Sequence, residues 1–271
     1  MNEQEKQDLI KEIKKKKEYS SIPDSEVEKI LDIFDKEKYA EKEKFKLTRE
    51  MLMKLFSGTM SKKLLSPNIL EKKSGDEVLK KHLSTRERFE NYEEIYSRIF
   101  NSLDLNRDKK VSVIDLGAGI NGLSYNKFPE DYDVNYVGIE IVGRLVDLMN
   151  EYFKKQGLLE EGKEGKAKAI QESLFNLRAV EKIIKNTEKP RVIFLFKILD
   201  SLEFRERDYT KKLLLELKNM EGGIQGFVLS FSTESFIKKE KFKAKRKWIQ
   251  NFLKENFQEV ENFGLGGERY V

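Results

Sequence analysis

Three glycines and two acidic residues follow short apolar segments in the pattern of a cofactor-binding turn. Gly117, Gly119 and Gly122 come just after Asp115, and Glu140 ends the next apolar segment. Glycines at this spacing let the backbone turn tightly after a strand and approach a ligand closely. An acid that ends the next strand is placed to accept hydrogen bonds from both hydroxyl groups of a ribose.

The position of Asp115 helps to distinguish two cofactor classes. It lies two residues before the first glycine, where class I methyltransferases usually place an acid near the cationic end of S-adenosylmethionine. In a nicotinamide site the pyrophosphate lies nearby, and an acid there would repel it. The pattern therefore favours S-adenosyl-L-methionine as the cofactor. NAD binding and a tight turn without any ligand are the alternatives.

Candidate residues also follow the third and fourth predicted strands. Gln171 and Glu172 come after the third strand, where residues of this fold contact the adenine ring, although a surface loop is the alternative. Lys197 follows the fourth strand, at the carboxyl edge where the reacting atom should lie. The alternative for Lys197 is a lysine that leaves the sheet edge for solvent.

The elements that must hold these residues follow from apolar periodicity. Strands are predicted at 111–114, 134–140, 166–170, 192–196, 226–231, 257–263 and 268–271, and helices at 85–100, 142–155, 174–185 and 205–219. Alternating strands and helices indicate a parallel sheet covered on both faces. We therefore predict an α/β fold with a doubly wound, Rossmann-like class I methyltransferase sheet over residues 106–271, preceded by an N-terminal helical domain over residues 1–105.

The amino-acid composition excludes some kinds of catalytic and metal-binding site. The 271-residue chain has no cysteine and a single histidine, which excludes thiolate chemistry and argues against a zinc site. The first 17 residues are charged throughout and lack the apolar core of a signal peptide. No apolar run approaches the roughly 20 residues of a membrane span. We expect a cytoplasmic monomer without metal or membrane attachment.

Positive charge is concentrated near the C-terminus. The net charge is +5, and one short segment, the basic run, carries seven cationic residues against a single acid, Glu240. The cationic residues of the basic run are Lys238, Lys239, Lys241, Lys243, Lys245, Arg246 and Lys247. Such a concentration is typical of a phosphate-binding surface and predicts RNA binding. A solvated helix face is the alternative.

Several segments, taken together, resemble one family. The segment from His82 to Arg88 matches the His-x-Ser-Thr-x-Glu-Arg signature of the aminoglycoside-resistance 16S ribosomal RNA guanine-N7 methyltransferases. Further matches lie along the chain at Lys16, Lys17, Tyr19, Asp115, Gly119, Asn121, Leu123, Phe196, Lys197, Leu199, Ser230, Phe231, Thr233, Gly266, Glu268 and Tyr270. The resemblance spans nearly the whole chain. It departs after the fifth strand, where the family's glycine-rich loop is replaced by Ser235, Phe236 and the basic run.

The resemblance implies a function and site roles. It implies methylation of guanine N7 in the decoding site of 16S rRNA in the small ribosomal subunit, giving aminoglycoside resistance, with the N-terminal helices helping to dock. It also implies that Thr85 and Arg88 reach the cofactor, Arg88 through the methionine carboxylate. Because N7 has a free lone pair, no general base is needed, and Lys197 is the candidate for orienting the guanine. Methylation of another RNA or a small molecule, and a non-catalytic RNA-binding protein, are the alternatives.

Overall fold

A seven-stranded, mostly parallel sheet forms the centre of the protein. The computed structural model describes residues 1–56, 66, 68–103, 105, 110–159, 165–220, 223–233, 246–258 and 261–271. The strands are β1 (Lys110–Leu116), β2 (Asp133–Glu140), β3 (Ala167–Gln171), β4 (Arg191–Phe196), β5 (Ile224–Ser232), β6 (Phe263–Leu265) and β7 (Glu268–Tyr270). Their order is β3-β2-β1-β4-β5-β7-β6, and β7 runs antiparallel to both of its neighbours. The predicted α/β fold is confirmed.

Helices precede the sheet and connect its strands. Their bounds are α1 (Glu3–Lys14), α2 (Asp24–Phe34), α3 (Glu41–Phe56), α4 (Ile69–Lys72), α5 (Gly75–Leu79), α6 (Leu83–Arg88), α7 (Tyr92–Ser102), α8 (Gly143–Lys155), α9 (Leu177–Lys185), α10 (Leu199–Arg205), α11 (Tyr209–Lys218) and α12 (Lys247–Asn256). The central strand β4 is buried at every position, because helices cover both faces of the sheet. This explains why its sequence is a continuous apolar run rather than an alternating one.

Apolar side chains form three separate cores. One lies on the face of the sheet covered by α7 and α8, and a second lies on the face covered by α9, α11 and α12. The third belongs to α1–α3, which we call the N-terminal helical unit. Helices α5 and α7 contribute Val78, Leu79, Ile95 and Tyr96 to a sheet core. These later helices therefore pack against the sheet, and the N-terminal helical domain over residues 1–105 stays a prediction.

Three predicted elements differ in detail. The helix predicted over 85–100 is interrupted by a 3₁₀ turn at Phe89–Asn91. The helix predicted over 205–219 is divided between α10 and α11, with Asp208 in the left-handed region at φ 62°. The strand predicted over 257–263 lies instead at Phe263–Leu265, because Phe257 is the C-cap of α12. The glycine-rich turn after β1 opens a 3₁₀ helix, Asn121–Lys127. Here the side chain of Asn121 is committed to buried hydrogen bonds with other elements, described below.

Two findings concern membranes and metals. Within the described ranges, no helix has the length and apolar character needed to cross a membrane. The same part of the chain contains no group of three or more histidine, aspartate or glutamate side chains arranged to hold a metal ion.

Candidate functional site

A cavity of about 230 Å³ lies at the carboxyl ends of β1, β2 and β4. We call it the strand-end cavity. One wall comes from the end of α3, and another comes from α6 and the residue preceding it. Its lining includes Lys54, Leu55, Phe56, His82, Ser84, Arg88, Gly117, Ala118, Gly119, Glu140, Glu172, Phe175, Phe196, Lys197 and Arg205. A second cavity, of about 330 Å³, borders the amino end of β5 and is lined by none of the predicted site residues.

The glycine-rich turn has two kinds of glycine. Gly117 and Gly119 have φ angles of 73° and 57°, which L side chains rarely adopt, and both line the strand-end cavity. Gly122 has an ordinary φ, but an added Cβ would lie 2.6 Å from Cζ of Phe153 and 2.9 Å from Cε1 of Tyr136. The first two glycines therefore shape the cavity, and Gly122 permits close packing.

Replacing Gly122 with alanine is expected to lower the free energy of unfolding by about 1–3 kcal/mol, because the buried rings of Phe153 and Tyr136 must shift to admit a methyl group. The control is Gly264→Ala, where the added Cβ meets only the Glu268 carbonyl oxygen, at 3.8 Å. Urea unfolding of both variants checks this expectation, and equal losses would contradict it.

Glu140 ends β2 with its carboxylate fixed by backbone donors. Oε2 accepts a hydrogen bond from the Gly119 amide at 2.9 Å, and Oε1 accepts one from the Val142 amide at 2.9 Å. The residue is 4% exposed and lines the cavity. Burial raises the pKa of the carboxyl group, and these backbone hydrogen bonds oppose the increase. The side chain is thus held rigidly beside the glycine-rich turn.

Arg88 lines the same cavity from α6. Its Nη1 donates to Oδ1 of Asn121 at 2.8 Å, and its Nε lies 3.3 Å from Oε2 of Glu268. The guanidinium carbon lies 5.0 Å from the centroid of the Phe196 ring. Burial disfavours the charge, but the nearby Glu268 carboxylate holds the pKa of Arg88 above its usual value. Arg88 is therefore a buried, permanently charged group at the cavity wall.

Asn121 connects Arg88 to Asp115. Its Oδ1 also accepts from the Tyr92 hydroxyl at 2.8 Å, and its Nδ2 donates to Oδ2 of Asp115 at 2.7 Å. A second donor to the same Asp115 oxygen is the Tyr136 hydroxyl, at 2.9 Å. Burial raises the pKa of Asp115, while these two hydrogen bonds favour its charged form. Asp115 does not line the strand-end cavity.

Lys197 has a strained backbone and two acidic neighbours. Its φ is 56°, uncommon for a residue with a side chain. Its Nζ forms a close ion pair with Oε2 of Glu87 and lies 3.5 Å from Oε2 of Glu268. Burial lowers the pKa of its ammonium group, and the Glu268 charge opposes the decrease. We call Glu87, Arg88, Lys197 and Glu268 the charge cluster.

The remaining predicted cofactor residues differ in whether they line the cavity. Glu172 lines the cavity, and its Oε1 accepts from the Ser173 amide at 2.8 Å. Gln171 is exposed and donates to the carbonyl oxygens of Ser21 and Ile141. The Thr85 hydroxyl donates to the Leu79 carbonyl oxygen at 2.6 Å and is buried. Neither Gln171 nor Thr85 is among the cavity-lining residues, so their cofactor contacts stay predictions.

His82 contacts the cavity as a neutral side chain. Burial, together with the charges of Arg88 and Lys197, lowers its pKa to about 3. Its Nδ1 lies 3.1 Å from the Ser84 hydroxyl. A histidine with this pKa does not exchange protons near pH 7, which is consistent with a structural rather than a catalytic role.

Most of the basic run, 238–245, lies outside the described residues. Of its last two members, Lys247 is exposed. Arg246 makes a bidentate ion pair with Asp200, with Nη1 and Nη2 at 2.6 and 2.7 Å from the two carboxylate oxygens. Arg246 is therefore committed to an intramolecular carboxylate, and its RNA contact stays a prediction.

Sequence reasoning missed parts of the site. It gave no role to Asn121, Glu87 or Glu268, whose partners are far away in the sequence, and it did not place α3 at the cavity. Arg205 also lines the cavity, with its guanidinium carbon 3.9 Å from the centroid of the Phe175 ring. It forms an ion pair with Glu26 of α2. Helical periodicity identifies these helices but not the partners of their polar side chains.

The architecture is similar to those of solved rRNA methylases. No protein-family model matches the chain, and no curated protein sequence matches it. Among solved structures, the 16S rRNA methylase RmtB has a TM-score of 0.71 at 17% identity, over 98% of this chain and 96% of that one. RmtF, a 16S rRNA methyltransferase crystallised with S-adenosyl-L-homocysteine, gives 0.71 at 17%, over 100% and 97%. An rRNA methylase from Escherichia coli gives 0.64 at 16%, over 98% and 97%.

The strand order, the antiparallel β7 and these neighbours define a Rossmann-like class I methyltransferase fold. The compared structures cover 98–100% of this chain, so the structural similarity includes the N-terminal helices. The chain therefore has the whole-length fold of known 16S rRNA methylases at low sequence identity, as the sequence resemblance implied.

Proposed function

We propose that this protein is an S-adenosylmethionine-dependent methyltransferase of 16S rRNA, and that its target is guanine N7 in the decoding site. One observation carries the proposal. Arg88 from α6 and Glu140 from β2 line a single cavity with the Gly117–Gly119 turn, at the carboxyl edge of a methyltransferase sheet. A fixed cation and a fixed carboxylate on one cavity suit a cofactor with an amino-acid end and a ribose.

Each cofactor role rests on a described contact or on the family resemblance. Arg88 is proposed to bind the methionine carboxylate, since a guanidinium suits carboxylate capture. Glu140 is proposed to accept hydrogen bonds from the ribose hydroxyl groups, and Glu172 to contact the adenine. Asp115 is proposed to contribute its negative charge near the cationic end. When bound, S-adenosylmethionine supplies a sulfonium methyl group for transfer.

The proposed chemistry needs positioning more than proton transfer. Guanine N7 attacks with its own lone pair, so no proton is removed before the methyl group is transferred. The protein's contribution is then to align the acceptor with the methyl group. Lys197 is proposed to orient the guanine or its phosphate, because it lines the cavity at the carboxyl end of β4. Phe196 lines the cavity beside it and is a candidate for stacking on an extruded base.

The N-terminal residues 1–105 are proposed to help dock the protein on the small ribosomal subunit, and aminoglycoside resistance is the proposed consequence of methylation. The structural similarity to the 16S rRNA methylases RmtB and RmtF supports an rRNA substrate. We propose that the protein acts as a cytoplasmic monomer.

The decisive experiment incubates the purified protein with radiolabelled S-adenosylmethionine and either small ribosomal subunits or naked 16S rRNA. Borohydride and aniline cleavage then locate N7-methylguanine. Label at a decoding-site guanine on subunits supports the proposal. Label at another base or on another RNA would change the proposed target but support the methyltransferase activity. If the RNA carries no label and the protein does not bind S-adenosylhomocysteine in calorimetry, the proposal is rejected.

Neutralising part of the basic run is expected to flatten the salt dependence of binding to small subunits. The variant is Lys243→Gln with Lys245→Gln. The log–log slope should fall by about two units, because each lysine that no longer neutralises a phosphate removes about one unit of counterion release. The matched control is Lys182→Gln with Lys185→Gln on α9, which removes the same charge from exposed positions. Filter-binding titrations across a salt series measure both slopes, and identical slopes would return the basic run to a solvated surface.

A further inference from the structure

The carboxylate of Glu268 is buried between two cations that line the strand-end cavity. Its side chain is 0% exposed, and its Oε2 lies 3.3 Å from Nε of Arg88 and 3.5 Å from Nζ of Lys197. Its other oxygen accepts a hydrogen bond from the Ser230 hydroxyl. Arg88 and Lys197 come from different elements, so Glu268 is a group that they share.

The C-terminal hairpin holds Glu268 in this position. Glu268 pairs with Ser232 in the β5–β7 ladder, directly after a turn whose glycines, Gly266 and Gly267, have φ angles of 59° and 76°. A Cβ added to Gly266 would lie 2.8 Å from the Glu87 carbonyl oxygen. The turn is thus pressed against α6, the helix that carries Arg88.

We propose that Glu268 is a positioning residue that keeps Arg88 and Lys197 side by side, and both charged, at the cavity wall. Two cations that close to one another repel unless a carboxylate lies between them. Without Glu268, the repulsion from Arg88 would disfavour the protonated form of Lys197. The roles of Arg88 toward the cofactor carboxylate and of Lys197 toward the target nucleotide rest on the function proposed above.

The charges around Lys197 fix the direction of the expected change. Glu87 reaches it from α6 and Glu268 reaches it from β7. Arg88 of α6 shares the Glu268 carboxylate with it, and neutral His82 lies just before α6. Removing Glu268 leaves Arg88 as a nearby like charge and Glu87 as the remaining acid. The protonated form of Lys197 then loses stabilisation, so its pKa must fall.

The test measures Lys197 itself. Wild-type protein and Glu268→Gln are acetylated briefly with acetic anhydride across a pH series, and mass spectrometry gives the modified fraction at Lys197. The half-maximal pH is expected to fall by about one unit or more in Glu268→Gln, which is a tenfold change in the protonation equilibrium. The control is Glu261→Gln, which removes a carboxylate paired with Arg98 outside the cavity.

Two further measurements keep the outcome unambiguous. If Glu268→Gln unfolds, Glu268→Asp withdraws the carboxylate by one methylene, and a smaller fall in the same direction is expected. In methylation assays, Glu268→Gln should show a larger loss at high pH than at low pH, with Glu268→Asp restoring part of the activity. An unchanged Lys197 profile in a folded variant would overturn the positioning role. Failure of wild-type protein to bind S-adenosylhomocysteine would reject the proposed function and leave the labelling result intact.

Discussion

Replacing Arg88 with methionine is expected to lower the free energy of unfolding by about 3–5 kcal/mol and to abolish measurable binding of S-adenosylhomocysteine. The stability loss follows from burial, since Arg88 is 2% exposed and its removal leaves Glu268 with one fewer cation. The binding loss follows from the proposed capture of the cofactor carboxylate. Urea unfolding and isothermal titration calorimetry measure the two effects separately.

Two comparisons make the Arg88 result specific. Arg98→Met removes an arginine from a half-exposed ion pair with Glu261, and about 1 kcal/mol or less is expected because solvent screens such pairs. The double variant Arg88→Met with Glu268→Gln removes both buried charges and should recover part of the lost stability. Equal losses for Arg88→Met and Arg98→Met would contradict the buried ion pair.

Replacing Glu140 with alanine is expected to weaken S-adenosylhomocysteine binding by about 10²–10⁴-fold. Two charge-assisted hydrogen bonds to ribose hydroxyl groups contribute about 1.5–3 kcal/mol each, and alanine supplies neither. The amides of Gly119 and Val142 also lose their acceptor, so a modest loss of stability should accompany the effect. Calorimetric titration checks the affinity.

The matched control for Glu140 lies at the opposite end of the same strand. Asp133 begins β2 and pairs with Lys166 at 2.7 Å, away from the cavity lining. Asp133→Ala should leave the affinity within about twofold of wild type, since its partner is solvent-exposed. Near-normal binding by a folded Glu140→Ala protein would show that Glu140 does not bind the ribose.

The parallel strands of the sheet were predictable because their sequence signal is local. The segment 192–196 is a continuous apolar run, and burial on both faces of a parallel sheet demands such a run. Glu140 was also predictable, since a strand end and its sequence distance from the glycines determine its place. The glycine-rich turn was identified correctly, but the role of Gly122 was not, because only tertiary packing reveals Phe153 against it.

The polar partners in the site were not predictable from sequence. Lys197 and Glu87 are separated by 110 positions, and no periodicity links a residue after β4 to one on α6. The helix predicted over 85–100 is broken where Arg88 and Tyr92 both bond to Asn121. A single long helix agrees with local propensity, but tertiary hydrogen bonds override it.

The strand-end cavity borders all three apolar cores. Leu55 belongs to the core of the N-terminal helical unit, Phe196 to the core on one face of the sheet, and Leu202 to the core on the other face. A molecule that fills the cavity therefore touches three separately packed regions, and such regions commonly open independently in folded proteins. Its binding free energy is added to the cost of opening any one of them. We expect occupancy to couple the three cores, so that hydrogen exchange in α3 slows when the cavity at the sheet edge is filled.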